Sequence, residues 1–175
     1  DGFDDSSGPE GDRVSETASC SSRDLHVPAD LDVRTLTDVE KLNRFCRRTA
    51  EVVRGEREEF LKGGSVLVLG TEEFMYPAVW FGRWLERQGG VPRVRTHSTT
   101  RSPILTSRSE GYPLHTRVRL PGVYDKNRDT YLYNLEAYDA AFVFTDAKTR
   151  DLTGLEALAG RLRAAGNQHI FVYRW

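Results

Sequence analysis

The sequence is poor in the features that mark membrane, exported and zinc-binding proteins. None of its apolar runs approaches the roughly eighteen residues that a membrane-spanning helix needs. A basic segment followed by an apolar one, the sign of a secretory leader, is missing at the N-terminus. Cys20 and Cys46 lack metal-ligand spacing, and the four histidines are scattered. We therefore expect a cytoplasmic protein with reduced thiols, without a membrane segment or a zinc site.

A serine nucleophile and a nucleic-acid partner are also disfavoured. The sequence has no G-x-S-x-G elbow, which argues against Ser102 acting with His97 as nucleophile and base. After residue 24 the chain holds 23 basic and 19 acidic side chains, a mildly basic balance well short of a nucleic-acid binder. The aromatic residues lie mostly in core-like positions instead of alternating with basic ones. A small anionic ligand is the better match.

Residues 1–24 differ in composition from the rest of the chain. They carry seven acidic and two basic side chains, are rich in Gly and Ser, and have few large apolar groups. Such a segment buries too little apolar surface to offset the entropy lost on ordering. We predict a flexible acidic linker over residues 1–24 and one α/β domain over residues 25–175. The start at Asp1 instead of Met favours a piece excised from a longer protein.

Strand-like and helix-like segments alternate along the remaining residues. Thr37 and Glu40 match a capping box, which predicts a helix from about Asp38 to Leu61. The apolar runs within residues 65–70 and 139–146 are typical of strands buried on both faces. Further helices are predicted over 77–88 and 151–166, and further strands over 91–96 and 169–173 and near 118–120. Residues 130–135 are either another strand or one arm of a hairpin. This alternation predicts a Rossmann-like three-layer domain with a mainly parallel sheet.

The predicted binding edge lies at the carboxyl ends of the strands, where such sheets bind ligands. Three loops leave from that edge: Thr71–Tyr76, Thr96–Leu105 and Thr145–Asp151. Residues 95–104 alone hold two arginines, one histidine, three threonines and two serines. Guanidinium and hydroxyl groups bind phosphate or carboxylate oxygens, so we predict an anion site here. The alternative is a solvated basic loop whose hydroxyl groups form local turns.

The candidate catalytic residues are carboxylates at strand ends. Glu72 and Glu73 lie just before a helix N-terminus, where they either complement the helix dipole or serve a ligand's ribose, an amine or Mg²⁺. Asp146 follows another buried strand, in a loop whose composition suits phosphate or ribose contacts. The candidate ligand-binding residues in the three loops are Thr71, Tyr76, His97, Ser98, Thr99, Thr100, Arg101, Ser102 and Lys148.

The string TTRSP at Thr99–Pro103, preceded by GTEEFMYPA and a βαβ pattern, resembles the TRSP-motif domain. The resemblance extends over roughly Leu36–Trp175. That family occurs C-terminal to a phosphoribosyltransferase domain in bacterial proteins associated with tellurium-resistance and stress-response gene clusters. The resemblance implies two partners: an N-terminal phosphoribosyltransferase domain, in the same or a neighbouring chain, and a small phosphorylated ligand.

Two segments also resemble the fold of type I phosphoribosyltransferases. Residues 67–96 are similar to their strand-loop-helix-strand unit, and residues 140–173 to the region of their diphosphate-binding loop. In that region the family has two adjacent acids and a Thr-Gly-Gly-Thr-like turn, whereas this sequence has Thr145-Asp146 and Thr153-Gly154. A diverged domain working beside a standard one fits this difference.

The resemblance implies a function in nucleotide metabolism without deciding whether this domain is itself an enzyme. The implied role is to bind a phosphorylated or anionic nucleotide-like ligand during synthesis of a nucleoside-like metabolite. The alternative is a non-catalytic docking or regulatory module for the adjacent phosphoribosyltransferase domain.

Overall fold

The computed structural model describes residues 19–28, 31–35, 38–62 and 64–175. In chain order the elements are β1 Ser19–Asp24, α1 Val39–Leu61, β2 Ser65–Gly70, α2 Tyr76–Gln88, β3 Arg93–Ser98, β4 Arg117–Pro121, β5 Asp129–Tyr133, β6 Ala140–Thr145, α3 Thr153–Ala164 and β7 His169–Arg174. Within these ranges, no helix combines the length and the apolarity that crossing a membrane requires.

Five of the strands form one parallel sheet, which confirms the predicted α/β class. Their order is β1-β7-β6-β2-β3, and each neighbouring pair runs parallel. The segments predicted near 118–120 and 130–135 are β4 and β5. They pair antiparallel as a separate two-stranded ribbon. The long connections between successive parallel strands explain why helices, and this ribbon, cover the sheet.

Side chains of the central strands alternate between two cores, one on each face of the sheet. Val66 and Val68 of β2 pack with residues of α1 and α2. Leu67 and Leu69 point to the opposite face and pack with α3 and the β4–β5 ribbon. Every residue of β6 is buried, as expected for a strand covered on both sides. The domain therefore has the predicted three layers.

In the structure, the helix cap lies one residue later than predicted, and a strand occupies the end of the predicted linker. Asp38 is the N-cap of α1, where its carboxylate accepts the Lys41 N–H at 3.0 Å. Thr37, the predicted cap, lies outside the described residues. The last six residues of the predicted linker form β1. Residues 1–18 also lie outside the described residues, so the linker over them stays a prediction. β1 is polar and pairs through its backbone with β7, so a composition argument based on apolar burial misses it.

β2 and β6 create the crevice in which the site lies. They are adjacent and parallel, yet the chain leaves β2 for α2 on one face and leaves β6 for α3 on the other. Neighbouring connections that depart to opposite faces open a gap at the carboxyl ends of the two strands. The loops that begin at Thr71 and Asp146 border this gap.

Candidate functional site

A group of hydroxyls lies beneath the crevice between β2 and β6. The Thr71 and Thr145 side chains are fully buried, and their Oγ1 atoms lie 2.8 Å apart. The Tyr124 hydroxyl lies 2.8 Å from Thr71 Oγ1 and donates to Asp146 Oδ1 at 2.5 Å. Burial and the neighbouring Asp146 carboxylate together raise the pKa of Tyr124 to about 12. The phenol therefore stays protonated and donates a hydrogen bond to Asp146 throughout the physiological range.

Asp146 is held by an arginine from the segment between β1 and α1. Arg34 Nε donates to Asp146 Oδ2 at 2.5 Å and Arg34 Nη2 donates to Oδ1 at 2.8 Å. The same guanidinium lies over the Tyr124 ring, 4.9 Å from its centroid, a cation–π distance. Burial raises the pKa of Asp146, but the hydrogen bonds from Arg34 and Tyr124 outweigh it and keep that pKa below its ordinary value. Asp146 is thus an ionised hydrogen-bond acceptor at neutral pH.

Glu72 is the second acceptor, and its backbone is strained. Its φ of +49° lies in the left-handed region, which a glutamate rarely adopts and which is concentrated at functional sites. Its N–H donates to the buried Thr99 Oγ1 at 2.9 Å, which helps to hold this conformation. Burial raises the pKa of the Glu72 carboxyl, although Arg101, whose Nε lies 3.4 Å from Oε2, opposes the shift.

The neighbouring Glu73 differs from Glu72 in its exposure. The Glu73 side chain is 62% exposed and that of Glu72 only 10%. Arg101 Nη2 hydrogen bonds to Glu73 Oε1, and Arg34 Nη1 lies 3.4 Å from Glu73 Oε2. Glu73 therefore bridges the two arginines from the solvent side. Of the two adjacent glutamates, Glu72 has the shielded environment that suits a catalytic or ligand-binding carboxylate.

We call Arg34, Glu72, Glu73, Arg101, Tyr124 and Asp146 the rim cluster. It combines two guanidinium groups with three carboxylates, so its formal charge is negative. Its hydrogen-bond capacity is mixed, with donors and acceptors that pair with one another at the carboxyl ends of β2 and β6. Among the described residues, no three His, Cys, Asp or Glu side chains are grouped so that they could hold a metal ion.

The structure brings together part of the predicted set of site residues. Thr71, Glu72, Glu73, Thr99, Arg101 and Asp146 meet at the crevice. Two predicted residues make their contacts elsewhere. The Tyr76 hydroxyl donates to Asn43 Oδ1 on α1 at 2.9 Å, because Tyr76 has already entered α2. Lys148 Nζ donates to the Trp175 carbonyl at 2.5 Å.

The other predicted residues lie on β3 and in the loop after it. Thr100 pairs with Tyr131 of β5 through both backbone bonds. Ser102 is exposed, and its carbonyl accepts from the Tyr133 hydroxyl at 2.7 Å. His97 and Ser98 are half-buried at the end of β3. Burial lowers the pKa of His97 despite the opposing carboxylate of Glu136, so its ring is neutral at pH 7.

Protein groups cover one side of the N-terminus of α3, which the sequence suggested for phosphate contacts, while Asp151, Leu152 and Thr153 stay exposed. Asp151 Oδ1 accepts from the Thr153 N–H at 3.0 Å, which satisfies one donor of the first turn. A Cβ built on Gly154 would lie 2.3 Å from the Gly122 carbonyl oxygen. Only glycine permits this close approach of the backbone that precedes Tyr124. This packing at the helix end helps to place Tyr124 beside Asp146.

Arg34 and Tyr124 are site residues that sequence reasoning missed. Arg34 is an isolated arginine in a segment without regular structure, and Tyr124 follows a Pro-Gly turn. Tyr124 lies between β4 and β5 of the ribbon, outside the main sheet, and Arg34 follows β1, a strand that composition assigns to the linker. No spacing or composition signal in the sequence marks either of them.

Comparison with known proteins adds one observation. A family model described as "TRSP domain C terminus to PRTase_2" matches residues 35–161. This chain belongs to the TRSP domain family. The letters T-R-S-P of this TRSP domain stand at residues 100–103, which places Arg101 of the rim cluster inside them. Neither a curated protein nor a solved structure matches the chain. The description confirms that this domain type follows a phosphoribosyltransferase domain.

Proposed function

We propose that this TRSP domain binds a phosphorylated, nucleotide-like ligand at the rim cluster and serves the phosphoribosyltransferase domain that its family follows. The observation that carries the proposal is the convergence of donors and acceptors from separate segments at the carboxyl ends of β2 and β6. Glu72 follows β2, Asp146 follows β6, and Arg101 follows β3. Fixed donors and acceptors at such a switch point are the usual basis of nucleotide recognition.

The two shielded carboxylates suit a sugar. The hydroxyl groups of ribose are hydrogen-bond donors, and ionised Glu72 and Asp146 are acceptors only. Asp146 is ionised because Arg34 and Tyr124 hold its pKa low. Hydrogen bonds to a charged group contribute more than neutral ones, so a diol bound here would be held firmly.

Arg101 suits the phosphate. Its guanidinium is anchored at one side by Glu72 and pairs with the exposed Glu73 at the other. An ion pair to so exposed a carboxylate is worth little, so a phosphate can replace Glu73 as the partner of Arg101. Because the carboxylates outnumber the guanidinium groups, the cluster favours a sugar phosphate over inorganic phosphate. We expect any Mg²⁺ ion to be bound by the ligand's phosphate groups.

A second candidate function follows from the same contacts. The arginines and carboxylates of the rim cluster pair with one another without a ligand. Such internal pairing is compatible with a structural cluster in a non-catalytic docking or regulatory module of the phosphoribosyltransferase system. If the domain is itself an enzyme, Glu72 is the candidate base, because burial raises the pKa of its carboxyl. The tellurium-resistance and stress-response setting stays a prediction.

The experiment is a calorimetric titration of the purified chain with ribose 5-phosphate, phosphoribosyl diphosphate and inorganic phosphate, each with and without Mg²⁺. We expect both sugar phosphates to bind and inorganic phosphate to bind much more weakly. Arg101→Gln should abolish binding with little change in melting temperature, whereas Arg95→Gln, an exposed arginine on β3, should bind like wild type. Absence of any sugar phosphate binding, combined with tight association with a phosphoribosyltransferase domain, would favour the docking module.

A further inference from the structure

We infer that the ligand carries a planar apolar ring, a nucleobase, and that Ile104 and Leu105 form the surface on which this ring lies. The inference rests on the proposed function and deepens it, because it distinguishes a nucleotide from a plain sugar phosphate. It also assigns two specificity-determining residues outside the rim cluster.

Ile104 and Leu105 are unusually exposed for large aliphatic side chains. Ile104 is 43% and Leu105 64% exposed. Isolated apolar residues are normal on protein surfaces and need no explanation. Among the large apolar side chains that are exposed in the described residues, however, these are the only two that are consecutive, and Leu105 is the most exposed of all. They therefore expose aliphatic side chains at two successive positions of the loop after Arg101.

The backbone beneath this surface is fixed. The hydroxyl of the buried Tyr133 accepts from the Ile104 N–H at 2.6 Å and donates to the Ser102 carbonyl at 2.7 Å. The Tyr112 hydroxyl donates to the Leu105 carbonyl at 2.9 Å. These bonds hold the main chain in place while both side chains remain in solvent. A surface that is already ordered loses little entropy when a ligand covers it.

The aliphatic surface is within one nucleotide's reach of the phosphate-binding arginine. Ile104 and Leu105 follow Arg101 by three and four residues, so their Cα atoms lie at most about 10–14 Å from that of Arg101. A ligand whose phosphate contacts Arg101 can therefore extend its ring over Ile104 and Leu105. Aliphatic side chains bind the face of a ring through burial and dispersion, without reading its hydrogen-bonding edge. We expect different bases to be accepted with similar affinity.

The test compares adenosine 5′-monophosphate with ribose 5-phosphate by titration calorimetry. Wild type should bind the nucleotide about tenfold more tightly, the effect of burying roughly 60 Å² of apolar surface. The double variant Ile104→Ser with Leu105→Ser should bind the two ligands equally while its affinity for ribose 5-phosphate stays unchanged. Val79→Ser is the matched control, because it removes an apolar side chain of α2 that is 47% exposed. This variant should keep the tenfold preference for the nucleotide.

Tyr133→Phe supplies a second variant, since it removes the hydroxyl that holds the loop and keeps both aliphatic side chains. It should lose part of the preference for the nucleotide. A nucleotide preference that survives in the double variant, or that is absent from wild type, would overturn the inference while ribose 5-phosphate binding still supports the proposed function. Failure of wild type to bind either ligand would overturn both.

Discussion

Arg34 holds Asp146 through two hydrogen bonds, Nε to Oδ2 at 2.5 Å and Nη2 to Oδ1 at 2.8 Å, although 112 residues separate them in the chain. Arg34 comes from the segment that connects β1 to α1, and Leu31 in that segment is buried in the core beneath α1. The pair therefore links this connection to the carboxyl end of β6. It also keeps Asp146 ionised, which the proposed recognition of a sugar requires.

The first prediction concerns this pair. Arg34→Gln should lower the free energy of unfolding at pH 7 by about 1–2 kcal/mol, because it removes a charge-assisted pair that is only partly exposed. The folded pKa of Asp146 lies below its ordinary value, so this stabilisation is present above about pH 4 and is lost as the pH falls through the folded pKa. Urea unfolding between pH 7 and pH 3 measures the effect.

The control for this prediction is the same substitution in an Asp146→Asn background. There Arg34→Gln should change stability little at any pH, because the partner charge is gone. A difference between wild type and Arg34→Gln that is constant from pH 7 to pH 3 would show that Arg34 acts through packing on the Tyr124 ring instead of through its charge.

The second prediction concerns the protonation state of Glu72. Burial raises the pKa of this carboxyl, and hydroxyl groups donate stronger, charge-assisted hydrogen bonds to its ionised form than to its neutral form. The affinity for ribose 5-phosphate should therefore fall as the pH drops through this raised pKa. Glu72→Gln should bind about tenfold more weakly at pH 7.5, the loss expected for one charge-assisted hydrogen bond, and should lack this dependence. The ligand's phosphate titrates in both proteins, so the difference between their pH profiles isolates Glu72.

The third prediction separates Glu73 from Glu72. Glu73→Gln should increase the affinity for ribose 5-phosphate by up to about fivefold, since the exposed ion pair that competes for Arg101 is worth at most about 1 kcal/mol. Glu136→Gln removes an exposed carboxylate that pairs with Arg93, and it should leave the affinity unchanged. Weaker binding by Glu73→Gln would mean that Glu73 contacts the ligand directly.

The fourth prediction concerns the glycines of α3. Gly154→Ala would place a Cβ 2.3 Å from the Gly122 carbonyl oxygen, so it should lower the free energy of unfolding by about 1–3 kcal/mol. Gly160 lies in the same helix, and a Cβ added there would meet nothing within 4 Å. Gly160→Ala should instead stabilise the protein by about 0.5–1 kcal/mol through helix propensity. Chemical denaturation of both variants checks the contrast, and equal effects would contradict the close packing at Gly154.

Much of the fold follows from local sequence pattern. The apolar runs that form β2 and β6 are recognisable because strands buried on both faces need apolar residues at every position. By contrast, composition places β1 in a linker, since a polar edge strand is stabilised by backbone hydrogen bonds that side-chain composition does not report. The sequence also predicts β4 and offers β5 as a further strand or a hairpin arm, but it does not predict that the two form a ribbon separate from the main sheet.

By itself, the sequence determined the α/β class, the parallel sheet and the edge of the sheet at which polar groups gather. Periodicity and strand-end position encode these features locally. Only the tertiary structure decided that Arg34 and Tyr124 join the site, that Glu72 and not Glu73 is shielded from solvent, and that Gly154 of α3 packs against the Gly122 carbonyl. These outcomes depend on which residues, far apart in the chain, come within hydrogen-bonding distance, and on a left-handed backbone at Glu72 that no local pattern specifies.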